Sequence, residues 1–245
     1  MIAASLMGRL GNQMFQIAAT TALAKRNNDV ATFPVLSRGE GTNQESQSLY
    51  TSTIFSKVVF SEDFSWLKCQ YNEPYFSYCE LPYRNNTLFN GYFQSEKYFI
   101  DQKETIKKLF LKDPIANNDN FVAVHVRRGD YIKLQHVHSN LAEEHNYYNL
   151  AMQEFKNKNF IFFSDDIEWC KAFFGNSHTY FEGKNEIEDF YMMTTFTNKI
   201  IANSSFSWWA AWLGESKSSK IIAPKQWFEN TTSTKDLIPS RWTKI

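Results

Sequence analysis

The sequence predicts an α/β fold made of two Rossmann-like units, and three observations support this prediction. An apolar strand, a glycine turn and an amphipathic helix follow one another at the N-terminus, as at the start of a Rossmann unit. Beyond residue 120, short apolar runs alternate with helical patterns, which is typical of a parallel sheet covered by helices. The 245 residues are also enough for two compact units.

The best candidate for a boundary between the two units is the segment KDPIANNDN at residues 112–120. Its proline, asparagines and aspartates favour irregular structure over a helix or strand. We therefore expect an N-terminal Rossmann-like domain over residues 1–112 and a C-terminal one over residues 113–245.

In the N-terminal half, we expect a strand over residues 2–6, a turn at 8–13 and a helix over 13–26. The turn lacks the G-x-G-x-x-G pattern of dinucleotide-binding folds. Residues 33–83 mix polar and aromatic residues without a clear period, so they predict loops and a variable binding surface. Ser95 has the position of an N-cap for a helix that continues to about residue 111.

In the C-terminal half, the pattern predicts strands over residues 121–126, 160–163, 178–181, 200–202 and 220–223. Helices are expected between them over 141–156, 167–174 and 186–196. Asn140 and Glu143 have the spacing of a capping box for the first of these helices. A further helix should begin at residues 203–205 and contain Trp208, Trp209 and Trp212, of which at least two should be in the core.

Composition excludes several classes of function. Lys plus Arg and Asp plus Glu are 26 each, and this net charge of zero argues against a nucleic-acid-binding protein. Aromatic residues make up 17% of the chain, which leaves some rings for a sugar-binding face. Three cysteines without metal-ligand spacing predict reduced thiols. We find no apolar run near the ~20 residues of a membrane span and no signal-peptide pattern, so we expect a cytoplasmic protein.

Polar clusters follow three strands of the predicted C-terminal sheet, at residues 125–130, 164–166 and 203–207. Because the carboxyl ends of parallel strands meet at one edge of the sheet, these clusters should lie close together. Arginine suits a diphosphate, and the amides at a helix N-terminus add further donors. A carboxylate such as Asp165 or Asp166 could accept hydrogen bonds from guanine or ribose. The set is typical of a nucleoside-diphosphate pocket.

Five segments together resemble the α1,2-fucosyltransferases of glycosyltransferase family 11. They are GRLGNQMFQ at residues 8–16, HVRRGDY at 125–131, FFSDD at 162–166, SSFSWW at 204–209 and APKQWF at 223–228. The resemblance implies a GT-B fold, in which two Rossmann-like domains face each other across a cleft. The N-terminal domain (1–112) would lie on the acceptor side, and the C-terminal domain (113–245) would bind GDP-fucose. It also implies GDP-fucose as the donor, a galactose-terminated glycan as the acceptor, and inversion to an α-linkage at O2 of the galactose.

The resemblance further assigns roles to individual residues. Arg127 would bind the β-phosphate and stabilise charge on the departing GDP, while Gly11 and Asn12 would approach the donor or acceptor from the other domain. The expected catalytic residues are Arg127, Asp130 and Asn12. The expected donor-binding residues are Gly11, His125, Arg127, Ser164, Asp165, Asp166, Ser204, Ser205 and Phe206.

No metal or other cofactor is expected, because an arginine and helix amides can replace a divalent cation at the leaving diphosphate. The chain also has no Asp-x-Asp motif. Asp130 is the first candidate for the general base, ahead of Glu143, Glu144 and Asp189. The resemblance leaves peripheral contact with the inner membrane open.

Several of these residues also have a simpler interpretation. Asp130 could only pair with Arg128, whose own role is expected to be structural, and His125 could be a core histidine. One of Asp165 and Asp166 should cap a helix. The loop histidines His136, His138 and His145 fit no standard zinc spacing and should be solvated. At the level of function, the alternatives are another acceptor position and a catalytically silent protein that binds a GDP-sugar or a glycan.

Overall fold

The computed structural model describes residues 1–35, 43–112, 115, 118–133, 137–142, 145–230 and 232–245, with the backbone alone for Asp130 and Lys133. The chain divides into two compact units. The first contains Met1–Asp113 and Ser233–Pro239, and the second contains Pro114–Thr232 and Ser240–Ile245. Each unit has a parallel sheet with helices packed against it, which confirms the predicted α/β class.

The first unit has a five-stranded parallel sheet in the order β3-β2-β1-β5-β4. Its strands are β1 (Ile2–Ala4), β2 (Ala31–Pro34), β3 (Phe60–Ser61), β4 (Cys69–Asn72) and β5 (Thr87–Asn90), and its helices are α1 (Leu10–Arg26), α2 (Gln44–Ser52) and α3 (Lys103–Phe110). Strands β3 and β4 and helix α2 lie within residues 33–83, the stretch that the sequence left without a clear pattern.

Two helix boundaries in the first unit differ from the prediction. Helix α1 begins at Leu10 because the backbone N–H groups of Asn12 and Gln13 already donate to the carbonyl of Arg9. Ser95 is an N-cap, as predicted, and its hydroxyl accepts from the backbone of Lys97. It caps a single 3-10 turn, however, and the α-helix itself begins only at Lys103.

The second unit has a six-stranded parallel sheet in the order β11-β10-β9-β6-β7-β8. Its strands are β6 (Asn118–Val126), β7 (Asn159–Ser164), β8 (Thr179–Tyr180), β9 (Phe196–Ile200), β10 (Ile221–Ala223) and β11 (Thr243–Lys244), and its helices are α4 (Tyr147–Gln153), α5 (Ile167–Phe174), α6 (Glu186–Thr194) and α7 (Ser205–Leu213).

The structure corrects the predicted helix over residues 141–156 and the strand at 200–202. Helix α4 starts only at Tyr147, because Asn146 has the left-handed φ of 49° and a right-handed helix cannot continue through it. Asn140 therefore does not cap this helix, and Glu143 lies outside the described residues. Helix α6 ends at Thr194 and β9 begins at Phe196, so the strand lies a few residues earlier than predicted.

The core of the second unit confirms the expected role of the tryptophans. Trp208, Trp209 and Trp212 are all fully buried on α7, and Trp242 packs against Trp208. Cys69, Cys79 and Cys170 are all free. Among the described helices, none is both long and apolar enough to cross a membrane.

Candidate active site

The register of the second sheet brings the ends of three strands to one edge. Val126 of β6 pairs with Ser164 of β7, and Val124 of β6 pairs with Ile200 of β9. The residues that follow these strands must therefore leave the sheet side by side. We call them the strand-end cluster, which contains residues 125–129, 164–166 and 203–206.

An ion pair joins the first two parts of the strand-end cluster. The Nη1 of Arg127 lies 2.6 Å from Oδ2 of Asp165, and the backbone N–H of Arg128 donates to Oδ1 of the same carboxylate at 2.9 Å. Gly129 leaves room for this carboxylate, since a Cβ at residue 129 would overlap Oδ2 of Asp165. The Arg127 side chain is only 13% exposed, and its ion pair with Asp165 fixes the position of the guanidinium.

Arg128 and Asp166 have structural contacts. The Arg128 guanidinium lies 3.7 Å from the centre of the Trp169 ring and 3.4 Å from the Asp166 carboxylate. Asp166 is the N-cap of α5 and accepts from the backbone N–H of Trp169. This is the cap that the sequence predicted for one of the two aspartates. Ser164 supports the turn, because its hydroxyl accepts from the backbone of Asp166.

His125 is buried at the end of β6, with 5% of its surface exposed. Its ring stacks on Phe206 at 5.4 Å, and the hydroxyl of Tyr148 donates to its carbonyl oxygen. Burial, together with the nearby charge of Arg127, lowers the pKa of His125 to about 3. The imidazole is therefore neutral near pH 7.

The third part of the strand-end cluster is held by Asn203. Its side-chain amide donates to the carbonyls of Ser139 and Trp227. Ser204 is the N-cap residue of α7, within residues 203–205 where this helix was expected to begin, although its hydroxyl makes no capping hydrogen bond. Ser205 begins the helix, so the N-terminus of α7 lies directly beside the ends of β6 and β9.

Sequence reasoning missed Tyr131 as part of this site. Its hydroxyl donates to the carbonyl of Asn203, and its ring lies 5.5 Å from the guanidinium carbon of Arg127. His138, expected to be a solvated loop histidine, instead stacks on the Tyr131 ring at 3.8 Å. Arg127, Tyr131 and His138 line a pocket together with Tyr148. Tyr131 directly follows the HVRRGD segment, and this position could have indicated from the sequence that it belongs to the site.

Gly11 and Asn12 lie in the first unit, in the first turn of α1. Gly8 has a φ of 70°, and a Cβ at this residue would lie 2.5 Å from Nδ2 of Asn12. The Asn12 side-chain oxygen accepts from Nε2 of Gln94 at 2.8 Å. The glycine turn therefore fixes the Asn12 amide at the carboxyl end of β1.

The candidates for the general base stay predictions. Asp130 begins a 3-10 helix (Asp130–Lys133), but its side chain lies outside the described part of the chain, as do Glu143, Glu144 and His136. Asp189 accepts from the backbone N–H of Gly183, and burial raises its pKa. The described residues contain no group of three His, Cys, Asp or Glu side chains arranged to hold a metal ion.

Two parallel α/β units in one chain, one of them with a fixed arginine and a helix N-terminus at its strand ends, fit a glycosyltransferase of the GT-B class. The family model described as glycosyl transferase family 11 matches residues 1–245. The chain therefore belongs to glycosyltransferase family 11, which confirms the resemblance seen in the sequence.

Similar proteins include two named transferases. An α-1,2-colitosyltransferase from Escherichia coli is 30% identical over 288 residues, which covers 100% of this chain and 98% of that protein. A galactoside 2-α-L-fucosyltransferase from Bos taurus is 26% identical over 244 residues, which covers 84% of this chain and 62% of that protein. Among solved structures, the α-1,6-fucosyltransferase NodZ from Bradyrhizobium matches 86% of this chain and 92% of its own, with 10% identity and a TM-score of 0.42.

Proposed function

We propose that this protein transfers L-fucose from GDP-fucose to O2 of a terminal galactoside, forming Fucα1-2Gal with inversion and without a metal ion. The observation that carries the proposal is the Arg127 guanidinium, held by Asp165 beside the N-terminus of α7 in a chain of glycosyltransferase family 11. This arrangement offers a fixed positive charge and helix amides to a leaving diphosphate.

The proposed chemistry follows from where charge develops. The bond between fucose and GDP breaks as an acceptor hydroxyl attacks from the opposite face, and negative charge grows on the diphosphate. Arg127 stabilises this charge, and Asp165 keeps the guanidinium oriented before the substrate arrives. Asp130 is the proposed base that takes the acceptor proton, and neutral His125 packs beside the donor.

A colitosyl donor is the second candidate. It is favoured by the alignment with the E. coli α-1,2-colitosyltransferase, which spans 98% of that protein, against 62% for the bovine fucosyltransferase. Colitose is fucose without its 3-hydroxyl. A site that hydrogen-bonds this hydroxyl should reject GDP-colitose strongly, whereas a site with an apolar surface there should accept both sugars.

The deciding experiment is an incubation with GDP-fucose, EDTA and a panel of lactose, lacto-N-biose and galactose, followed by NMR of the product. We expect a Fucα1-2Gal product in EDTA. Transfer only after Mn²⁺ is added would contradict the metal-free mechanism, and transfer to another hydroxyl would contradict the acceptor position.

A competition between GDP-fucose and GDP-colitose, with lactose as the acceptor, separates the two donors. We expect a higher kcat/KM for GDP-fucose, and the reverse order would establish the colitosyl alternative. If the protein binds GDP but transfers neither sugar to any acceptor of the panel, it is the catalytically silent binder.

A further inference from the structure

A chain of polar side chains runs along the carboxyl ends of three strands of the first sheet. The Ser5 hydroxyl, just after β1, donates to Oδ1 of Asn90 on β5 at 2.5 Å. Nδ2 of Asn90 then donates to Oδ1 of Asn72 on β4 at 3.2 Å. We call Ser5, Asn90 and Asn72 the amide chain. It lies at the edge of the sheet where open α/β sheets bind ligands.

The direction of these hydrogen bonds fixes what the amide chain presents to solvent. Oδ1 of Asn72 accepts from Asn90 and also from Gln70, at 2.9 Å. Its Nδ2 group therefore points away from both, and within the described part of the chain it has no hydrogen-bond partner. Asn72 is exposed, so the amide chain ends in an oriented N–H donor at the surface.

The loop after β5, residues 91–94, is held rigidly beside the amide chain. Oε2 of Glu73 accepts from the backbone N–H of Tyr92 at 2.7 Å and from that of Phe93 at 3.1 Å. Phe93 is fully buried and has a φ of 51°, which is rare for a bulky residue. Gln94 donates to Asn12. A strained backbone that is held from several sides is typical of a functional loop.

This loop presents the ring of Tyr92 to solvent. Tyr92 is 40% exposed although its backbone is fixed by Glu73. Because Glu73 directly follows Asn72, the same short segment carries the amide donor and fixes the backbone of Tyr92. Asn72 pairs with Asn90, two residues before Tyr92, so the amide and the ring follow neighbouring strands of the sheet. An exposed aromatic ring and an oriented amide together suit a sugar, whose C–H face covers the ring while a hydroxyl accepts from the amide.

We propose that Tyr92 and the amide chain form a subsite for the terminal galactose of the acceptor. This inference rests on the proposed function. The side chains of this subsite carry no positive charge, and the carboxylate of Glu73 lies beside it, so it favours a neutral sugar over a phosphorylated one. Tyr92 covers the C–H face of the galactose, and Nδ2 of Asn72 donates to a ring hydroxyl.

The test is the Kd of lactose, measured by NMR titration in the presence of saturating GDP. Tyr92→Ala and Asn72→Ala should each raise this Kd by about 5-fold, while the Kd of GDP stays unchanged. Tyr92→Phe keeps the ring and should bind lactose like the parent protein. Tyr83→Ala is the matched control, because Tyr83 is 39% exposed, like Tyr92, but lies at the opposite end of the same sheet. Its hydroxyl donates to Asp29, which pairs with the terminal amine of Met1 at the start of β1.

Unchanged lactose affinity in both Tyr92→Ala and Asn72→Ala would overturn the subsite, as would a parent protein that binds neither lactose nor lacto-N-biose. Asn72 is on the surface, so its variant decides the question even if Tyr92→Ala does not fold. The proposed function can fail separately. If the parent protein binds lactose through these residues but transfers no fucose, the subsite is supported and the proposed reaction is contradicted.

Discussion

At the scale of single residues, the ion pair between Arg127 and Asp165 is the centre of the proposed donor site. An arginine that had to be ordered by its substrate would lose side-chain entropy on binding, whereas Asp165 has already fixed this guanidinium. Asp165 was expected to contact guanosine, and in the structure it instead holds the Arg127 guanidinium in place. Arg128, one residue further on, is turned away to stack on Trp169.

Replacement of Arg127 tests the charge that the site offers to a leaving diphosphate. We expect Arg127→Ala to lower kcat for fucosyl transfer by at least about 10²–10³, because one preorganised donor to a developing charge is lost. Arg241→Ala is the control, since Arg241 pairs with Glu215 elsewhere in the second unit. A loss of less than about 10-fold in Arg127→Ala would contradict this role.

The buried His125 makes stability depend on pH. Its folded-state pKa of about 3 lies below the usual 6.5, so the unfolded chain takes up a proton first as the pH falls. Stability is therefore lost from pH 6.5 downward. When the pH falls from 6.5 to 5, the free energy of unfolding should decrease by about 2 kcal/mol less in His125→Phe than in the parent protein.

Urea unfolding at the two pH values measures this difference. Between pH 7 and 8, where the folded and unfolded histidine are both neutral, the two proteins should respond alike. If both proteins lost the same free energy of unfolding between pH 6.5 and 5, His125 would take up its proton in the folded protein as well.

At the scale of elements, the two turns that follow β1 and β5 are the most constrained parts of the first unit. Gly8 places α1 close behind β1 with a left-handed backbone, and Glu73 clamps the loop after β5. The hydrogen bond between Gln94 and Asn12 joins the two turns. A change in either turn should therefore be transmitted to the other.

Two glycine substitutions separate backbone strain from displacement of Asn12. Gly8 and Gly175 both have a positive φ, at 70° and 87°, so each change to alanine should cost on the order of 1–3 kcal/mol of stability. A Cβ at Gly8 would also press on Asn12, whereas one at Gly175 would meet no atom within 4 Å.

We therefore expect Gly8→Ala alone to lower kcat, on the order of 10²-fold if Asn12 is catalytic. Thermal unfolding and transfer rates of both variants measure the two effects. Equal transfer rates in the two variants would remove Asn12 from the catalytic residues.

At the scale of the whole molecule, the chain returns to its first unit close to its C-terminus. Residues Ser233–Pro239 cluster with that unit, and Leu237 and Ile238 are buried there. The Asp236 carboxylate accepts from Nζ of Lys97 at 2.6 Å and from the backbone N–H of Tyr78 at 3.1 Å. Its carbonyl accepts from the Ser95 hydroxyl, so this short segment belongs to the stability of the first unit.

Removal of the Asp236 carboxylate tests this dependence. We expect Asp236→Ala to lower the free energy of unfolding by about 1–3 kcal/mol, because the N–H of Tyr78 and the ammonium of Lys97 both lose their acceptor. Lys235→Ala, an exposed neighbour in the same segment, should change it by less than about 0.5 kcal/mol. Similar losses in the two variants would contradict a specific role for Asp236.

The sequence predicted best where a pattern is local. The short helix α5 with its Asp166 cap and the apolar runs of β6 and β7 can be recognised from neighbouring residues. Helix α4 was predicted too long because no local pattern shows that Asn146 adopts a left-handed backbone. The short strands of the first unit were missed because two to four residues do not establish a period.

By itself, therefore, the sequence determined the α/β class, the family and the polar segments that follow the strands, because each depends on residues near one another in the chain. Only the tertiary structure decided that Asp165 holds Arg127, that Glu73 clamps Tyr92 and that residues 233–239 join the first unit. These contacts depend on strand order and register, which bring together residues far apart in sequence and leave no periodic signal along it.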